Sequence, residues 1–273
     1  MADTTVNLQC SNAIDDFFAR LKVQGRVLHA LMLREMLTRF GRENLGFFWL
    51  MGEPLLLTIG VMILWSVGKG EASTHVDAVP FALTGYTLIT LWRHIVSRGI
   101  HCFRSNAGLM YHRNVNYIDT LCVRALLEIG GTGLSFLTAY TPLFLFNVLE
   151  PIDDPLLLIG GWLLMGWVSF GVALILAGIT EIYDLAERFI QPIMYITLPG
   201  TGLFFMIAWL PDSTRRIIAY VPLINAMEMF RDGFFGHKLE AYWDGLYTVK
   251  CCIVLTAIGL LCVRKARKFV HFD

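Results

Sequence analysis

Residues 156–179 read LLLIGGWLLMGWVSFGVALILAGI, with no charged side chain from end to end. A helix rises about 1.5 Å per residue, so about 20 apolar residues cross the hydrocarbon core of a bilayer. This run has that length. Further candidates lie near 47–67, 77–97, 120–148, 189–210 and 247–263, so the pattern predicts six spans. Turn formers separate them at Gly68-Lys69-Gly70, at 150–155 and at Pro211-Asp212-Ser213. Hydrophobic residues make up 56% of the 273 and charged residues 16%, against about 25% charged in a soluble domain. So much apolar surface cannot be hidden in a globule of this size. The expected class is an all-α polytopic membrane protein. One run raises a difficulty: GFFWLMGEPLLLTIGVMILWSV (46–67) carries Glu53 and Pro54 inside its first third.

Formal net charge is zero, which gives no hint of a nucleic-acid partner. The N-terminus lacks a basic region leading into an apolar one, so no secretory signal is expected. The six cysteines form no CxxC pair and read as reduced, small apolar residues. Lys and Arg placement sets orientation. Fifteen fall on one side: Arg20, Lys22, Arg26, Arg34, Arg39 and Arg42 before the first span, Arg93, Arg98, Arg104 and Arg113 after the second, Arg188 after the fourth, and Arg264, Lys265, Arg267 and Lys268 in the tail. Five fall on the other: Lys69, Arg215, Arg216, Arg231 and Lys238. Both termini are expected in the cytoplasm.

Ahead of the first span, VLHALMLREMLTRFGREN places Val27, Leu31, Leu33, Leu37 and Phe40 at near-helical spacing, with Arg34, Glu35, Thr38, Arg39 and Arg42 on other faces. This predicts an amphipathic helix in the inner headgroup plane. Residues 1–46 form the cytoplasmic part and 47–273 the six-span domain, with a C-tail at 264–273. Between the last two spans, 211–246 reads as a pair of short outer helices. Asp212 and Ser213 are expected to cap the first, through Tyr220. Pro222 opens the second, which Gly236 ends.

No GxxxxGK[ST] loop occurs, so the chain is not expected to hydrolyse ATP itself. HExxH is absent, and His94 and His101 lack an acidic partner for a metal. Asp153-Asp154 reads as a solvated turn. Arg124 and Glu128, four apart at the start of the third span, can pair on one helix face or fix that helix against a neighbour. Gly130, Gly131 and Gly133 in the third span, and Gly160, Gly161, Gly166 and Gly171 in the fourth, allow close helix approach. Most aromatics fit interfacial belts. Mid-span Tyr86, Trp167 and Tyr195, with Phe204, are candidates to line a passage for sugars.

Three stretches carry a resemblance to a family. LREMLTRFGRENLGFFWLMGEPLLL (33–57) resembles the interface helix and first span of bacterial polysaccharide exporters. RNVNYIDTLCVRALLE (113–128) resembles their second-loop exit. VPLINAMEMFRDGFFG (221–236) resembles their outer segment, where a Pro, an Asn, a Glu and an Arg recur at this spacing. The chain thus resembles the membrane subunit of an ABC-2-type exporter, and is most similar to the inner-membrane protein of Gram-negative capsular polysaccharide export. EIYDLAERF (181–189) matches this pattern less well.

The resemblance implies a pore-forming permease subunit, not an enzyme, in the bacterial inner membrane. Two copies would form the pore above two ABC ATPase subunits. ATP and Mg would sit on those subunits, with no cofactor in this chain. A periplasmic envelope-spanning partner and an outer-membrane polysaccharide channel would complete the route. The implied substrate is a lipid-linked acidic capsular polysaccharide; export of an O-antigen or teichoic acid type polymer shares the architecture. An ion-coupled secondary transporter would need a mid-bilayer ion site and often internal repeats. Within 98–118, Leu109, Met110, Tyr111 and Arg113 are implied to contact the ATPase. Glu53-Pro54 would mark the turn from interface helix to first span, with Glu53 bordering a cytoplasmic entrance beside Arg34, Arg39 and Arg42. Asn225, Glu228 and Arg231 would form an outer gate, the last two as an ion pair.

Overall fold

The computed structural model describes residues 2–40, 52, 55–56, 58–60, 62–63, 78–100, 102–105, 116–238 and 240–266. Among these the regular elements are helical: α1 (Ala2–Phe40), α2 (Ala78–Ile100), α3 (Tyr117–Leu145), α4 (Pro155–Ile182), α5 (Asp184–Ile196), α6 (Asp212–Ile218), α7 (Pro222–Phe235) and α8 (Gly245–Ala266). Three of the described helices, α3, α4 and α8, are long and apolar enough to cross a membrane. α2 has 23 residues, but Arg93, His94 and Arg98 interrupt its apolar character. Most of the first expected span lies outside the described residues, as do Glu53, Pro54, Arg42, Leu109, Met110, Tyr111, Arg113 and the side chain of Arg39.

α4 is the hub, packed against α2, α7 and α8. Its start is chemically defined. Asp154 accepts from the backbone N–H groups of Leu156 and Leu157 at 2.9 and 3.0 Å, and Pro155 occupies the first turn, where no donor is needed. Asp153-Asp154 therefore terminates a turn and caps a helix. Asp154→Ala is expected to cost about 1 kcal/mol, read as a lower Tm of the purified protein. An unchanged Tm would mean the cap contributes nothing.

Close approach explains the glycines of α4. A Cβ on Gly161 would lie 2.5 Å from the Phe230 nitrogen of α7, and one on Gly171 would lie 2.9 Å from Leu255 Cβ of α8. The third-span glycines differ. A Cβ on Gly133 would meet only the Trp162 ring at 3.5 Å, and Gly130 has nothing within 4 Å. Gly130 is therefore not a packing glycine, contrary to expectation.

The segment expected as a fifth span is not one helix. α5 stops at Ile196; a short 3-10 turn follows over Leu198–Thr201, then left-handed Gly202 at φ 83. A second 3-10 turn covers Ile207–Trp209. Pro199 supplies no backbone donor, and Gly200 and Gly202 follow it closely. The apolar ribbon 198–210 therefore needs partners for its backbone elsewhere.

The two short helices between α5 and α8 form near their expected bounds, but Asp212 and Ser213 do not cap the first. Pro211 takes that position, and Asp212 pairs with Arg215 at 3.5 Å. α1 packs along α3. Leu31 is buried with Val123 and Leu127, flanked by Val27, Leu28, Met32 and Met36. Leu33 and Leu37, expected on the same apolar face, are exposed instead.

Candidate functional site

One face of α2 is polar. Thr90, Arg93, His94, Ser97 and Arg98 recur at helical spacing. This face meets Gln191 and Met194 of α5 across a cavity of about 220 Å³. Behind it stands Glu128 of α3, 1% exposed, with Arg98 Nη1 at 3.1 Å and His94 Nδ1 at 3.2 Å. Arg124 donates from Nε to Glu35 of α1 at 2.8 Å and from Nη1 to the Arg98 carbonyl at 2.9 Å. Arg124 and Glu128 thus tie α3 to α1 and α2, the cross-helix role that the sequence left open.

Two aromatics expected to line a passage flank this cavity. Arg93 Nη2 donates to Tyr195 Oη at 2.7 Å, and its guanidinium lies 4.6 Å from that ring's centre. Tyr86 sits within electrostatic reach of both Arg93 and Tyr195. The other two lie elsewhere. Trp167 joins α4 to α8 by donating from Nε1 to Thr256 Oγ1 at 3.1 Å. Phe204 is half exposed in the 198–210 ribbon. Arg34 is exposed on α1.

The depth of the basic cavity is informative. Ile129, next to Glu128, packs on Gly166 near the middle of α4, and Gly99 of α2 packs on Ala173. Arg93 and His94 precede Gly99 by more than one turn and so approach the middle of α4. A charge at mid-bilayer costs about 2.5–3.5 kcal/mol or more, and marks a functional position by default. The sequence had placed Arg93 and Arg98 in the loop after the second span; α2 continues through both. That removes them from the loop charge count. The signal was present in WRHIVSR, whose polar residues share one face, but it was hidden by counting both arginines as loop charges.

The expected outer gate is built differently from an ion pair. Asn225, Glu228 and Arg231 are all buried on α7, and each holds backbone. Arg231 donates to the Gly202, Leu203 and Phe205 carbonyls at 2.7, 3.0 and 3.0 Å. Glu228 accepts from the Ile207 and Tyr242 N–H groups at 3.1 and 3.3 Å. Asn225 donates to the Ala219 carbonyl at 2.5 Å and accepts from the Asp244 N–H at 2.8 Å. One helix face thereby fastens three irregular segments.

No family model matches the chain. Individual relatives do. It is 33% identical over 255 residues to the capsule polysaccharide export inner-membrane protein BexB of Haemophilus influenzae, covering 93% of this chain and 96% of that one. It is 34% identical over 255 residues, with the same 93% and 96% coverage, to the capsule polysaccharide export inner-membrane protein CtrC of Neisseria meningitidis serogroup B.

The chain belongs to the capsule polysaccharide export inner-membrane protein family.

A more distant member of this group, the polysialic acid transport protein KpsM of Escherichia coli, is 26% identical over 258 residues, covering 89% of this chain and 94% of that one. The match to capsule export inner-membrane proteins spans nearly the full length of the chain.

Proposed function

We propose that the chain is the transmembrane subunit of an ATP-driven exporter that moves a lipid-linked acidic capsular polysaccharide across the inner membrane to the periplasm. The observation that carries this is identity of 33–34% with two capsule export inner-membrane proteins over 93% of the chain. The polar cavity at mid-bundle depth agrees with a passage for a hydrophilic cargo.

In this reading the chain crosses the membrane six times with both termini in the cytoplasm. The fifth crossing is composite: α5 followed by the 198–210 ribbon. Irregular backbone at membrane depth is tolerated where protein satisfies it, and Arg231 and Glu228 do so here. α1 presents Leu33 and Leu37 to the inner headgroup layer, beside an entrance bordered by Glu53, Arg34, Arg39 and Arg42. Two copies form the pore. Two ATPase subunits carrying ATP and Mg dock on Leu109, Met110, Tyr111 and Arg113. A periplasmic partner and an outer-membrane channel receive the polymer.

The test is to tag the protein in its native host, extract it gently and identify what accompanies it. A Walker-motif ATPase in near-equal amount, released by Tyr111→Ala with Arg113→Ala, is the expected result. Deleting the gene should also strip capsule from the cell surface. A preparation free of any ATPase in several detergents would overturn the reading.

A further inference from the structure

We propose that the cavity between α2 and α5 is a binding subsite for an oxyanion, the carboxylate or phosphate group of the passing glycolipid, held by Arg93 and Arg98 with Gln191 as a neutral donor. The assignment of the cargo rests on the exporter reading above; the site itself rests on geometry. Two guanidiniums and an imidazole line the cavity, and no carboxylate is among its lining residues. Guanidiniums stay charged at all relevant pH values. Glu128 lies behind the wall, within 3.1 Å of Arg98, and one carboxylate balances only one of the two permanent cations.

Arg93 carries the excess. A guanidinium has several N–H donors in a planar fork suited to carboxylate or phosphate. Among the described residues, Arg93 gives one hydrogen bond, to Tyr195 Oη at 2.7 Å. A structural ion-pair network accounts for Arg98 and Glu128 but leaves Arg93, among the described residues, without a negative partner near the middle of the bundle. An anionic ligand supplies that partner and offsets the cost of the charge there.

The size fits a group, not a polymer. A cavity of about 220 Å³ holds roughly seven waters at about 30 Å³ each. That is room for a charged substituent and part of its sugar or glycerol, so this is one station along a path. Tyr195 stacked beneath Arg93 and Tyr86 nearby give a sugar ring an apolar surface beside the charge.

The experiment uses the full-length chain in phosphatidylcholine nanodiscs, titrated by calorimetry with three probes. Sialic acid hexamer presents carboxylates, glycerol 3-phosphate presents a phosphate, and isomaltohexaose presents neither. At least one anionic probe should bind, more weakly as salt rises, while isomaltohexaose should not. Carboxylate preference assigns the sugar as the source, and phosphate preference the lipid terminus. Arg93→Gln should weaken the bound anion about tenfold or more, since it removes a charge-assisted hydrogen bond, and Arg93→Lys should recover part. Gln191→Glu, on an exposed position of α5, should weaken it similarly and keeps the test valid if Arg93→Gln assembles poorly. No binding of either anion, or equal affinity in Gln191→Glu and wild type, overturns the site. ATPase co-purification is scored on the same samples, so a failed subsite in an intact complex is distinct from a failed exporter reading.

Discussion

Arg231→Met is expected to remove most assembled protein from the membrane. The Arg231 side chain is fully buried at 0% exposure, beneath the 202–205 stretch that lies between the two 3-10 turns. Its guanidinium donates to Gly202, Leu203 and Phe205 and lies 4.0 Å from the centre of the Phe81 ring. Methionine fills much of the same space, yet leaves the buried Gly202 and Leu203 carbonyls without a donor. Each unsatisfied buried group costs about 1–3 kcal/mol, so the loss is about 2 kcal/mol or more, a large share of a typical domain's stability. Arg231→Lys keeps the charge but cannot reproduce the fork, and should fall between. Abundance in membranes and Tm after extraction read the effect. A methionine variant that melts with wild type would mean the ribbon is held by its apolar contacts alone.

Gly161→Ala should be nearly as damaging, although it adds one methyl group. The added Cβ would sit 2.5 Å from the Phe230 nitrogen and 2.7 Å from its Cα. Both are backbone atoms, so no rotamer change relieves the clash; α7 has to leave α4. Overpacking a core costs about 1–3 kcal/mol when side chains can adjust, and here they cannot. Displacing α7 also shifts Arg231 from its three carbonyls. Gly130→Ala is the matched control. It has open space around it, and alanine is the better helix former by about 1 kcal/mol, so it should be neutral or slightly stabilising. Surface capsule and Tm of the two variants, side by side, decide the point. Equal behaviour would remove glycine contact as the basis of the α4–α7 seam.

Four helices could be placed from sequence because their apolar runs are long and bounded by turn formers. α2, α3, α4 and α8 begin and end within a few residues of expectation. Segment 189–210 misled because hydropathy records apolar area and ignores backbone supply: Pro199 and Gly202 stop the helix while the run stays apolar. The three residues expected at an outer gate are buried together on α7, but Glu228 and Arg231 hold backbone and not each other. Their partners are backbone groups 14 to 29 residues away, a relation that no local pattern encodes. The basic cavity was missed for a related reason. Two of its seven lining residues, Gln191 and Met194, come from α5, and only tertiary packing joins them to WRHIVSR.

The glycine seams of α4 also bear on how the helices can move. Backbone lying on backbone at Gly161 and Gly171 leaves no intervening side chains to slide, so α4, α7 and α8 tilt as one stiff block. α4 joins α5 through one extended residue, Tyr183, at φ −130 and ψ 99, while the far end of α5 leads into the ribbon that Arg231 holds. In the exporter reading proposed above, the joint left to bend is Tyr183, and the motion it leaves open is a swing of α5 against α2.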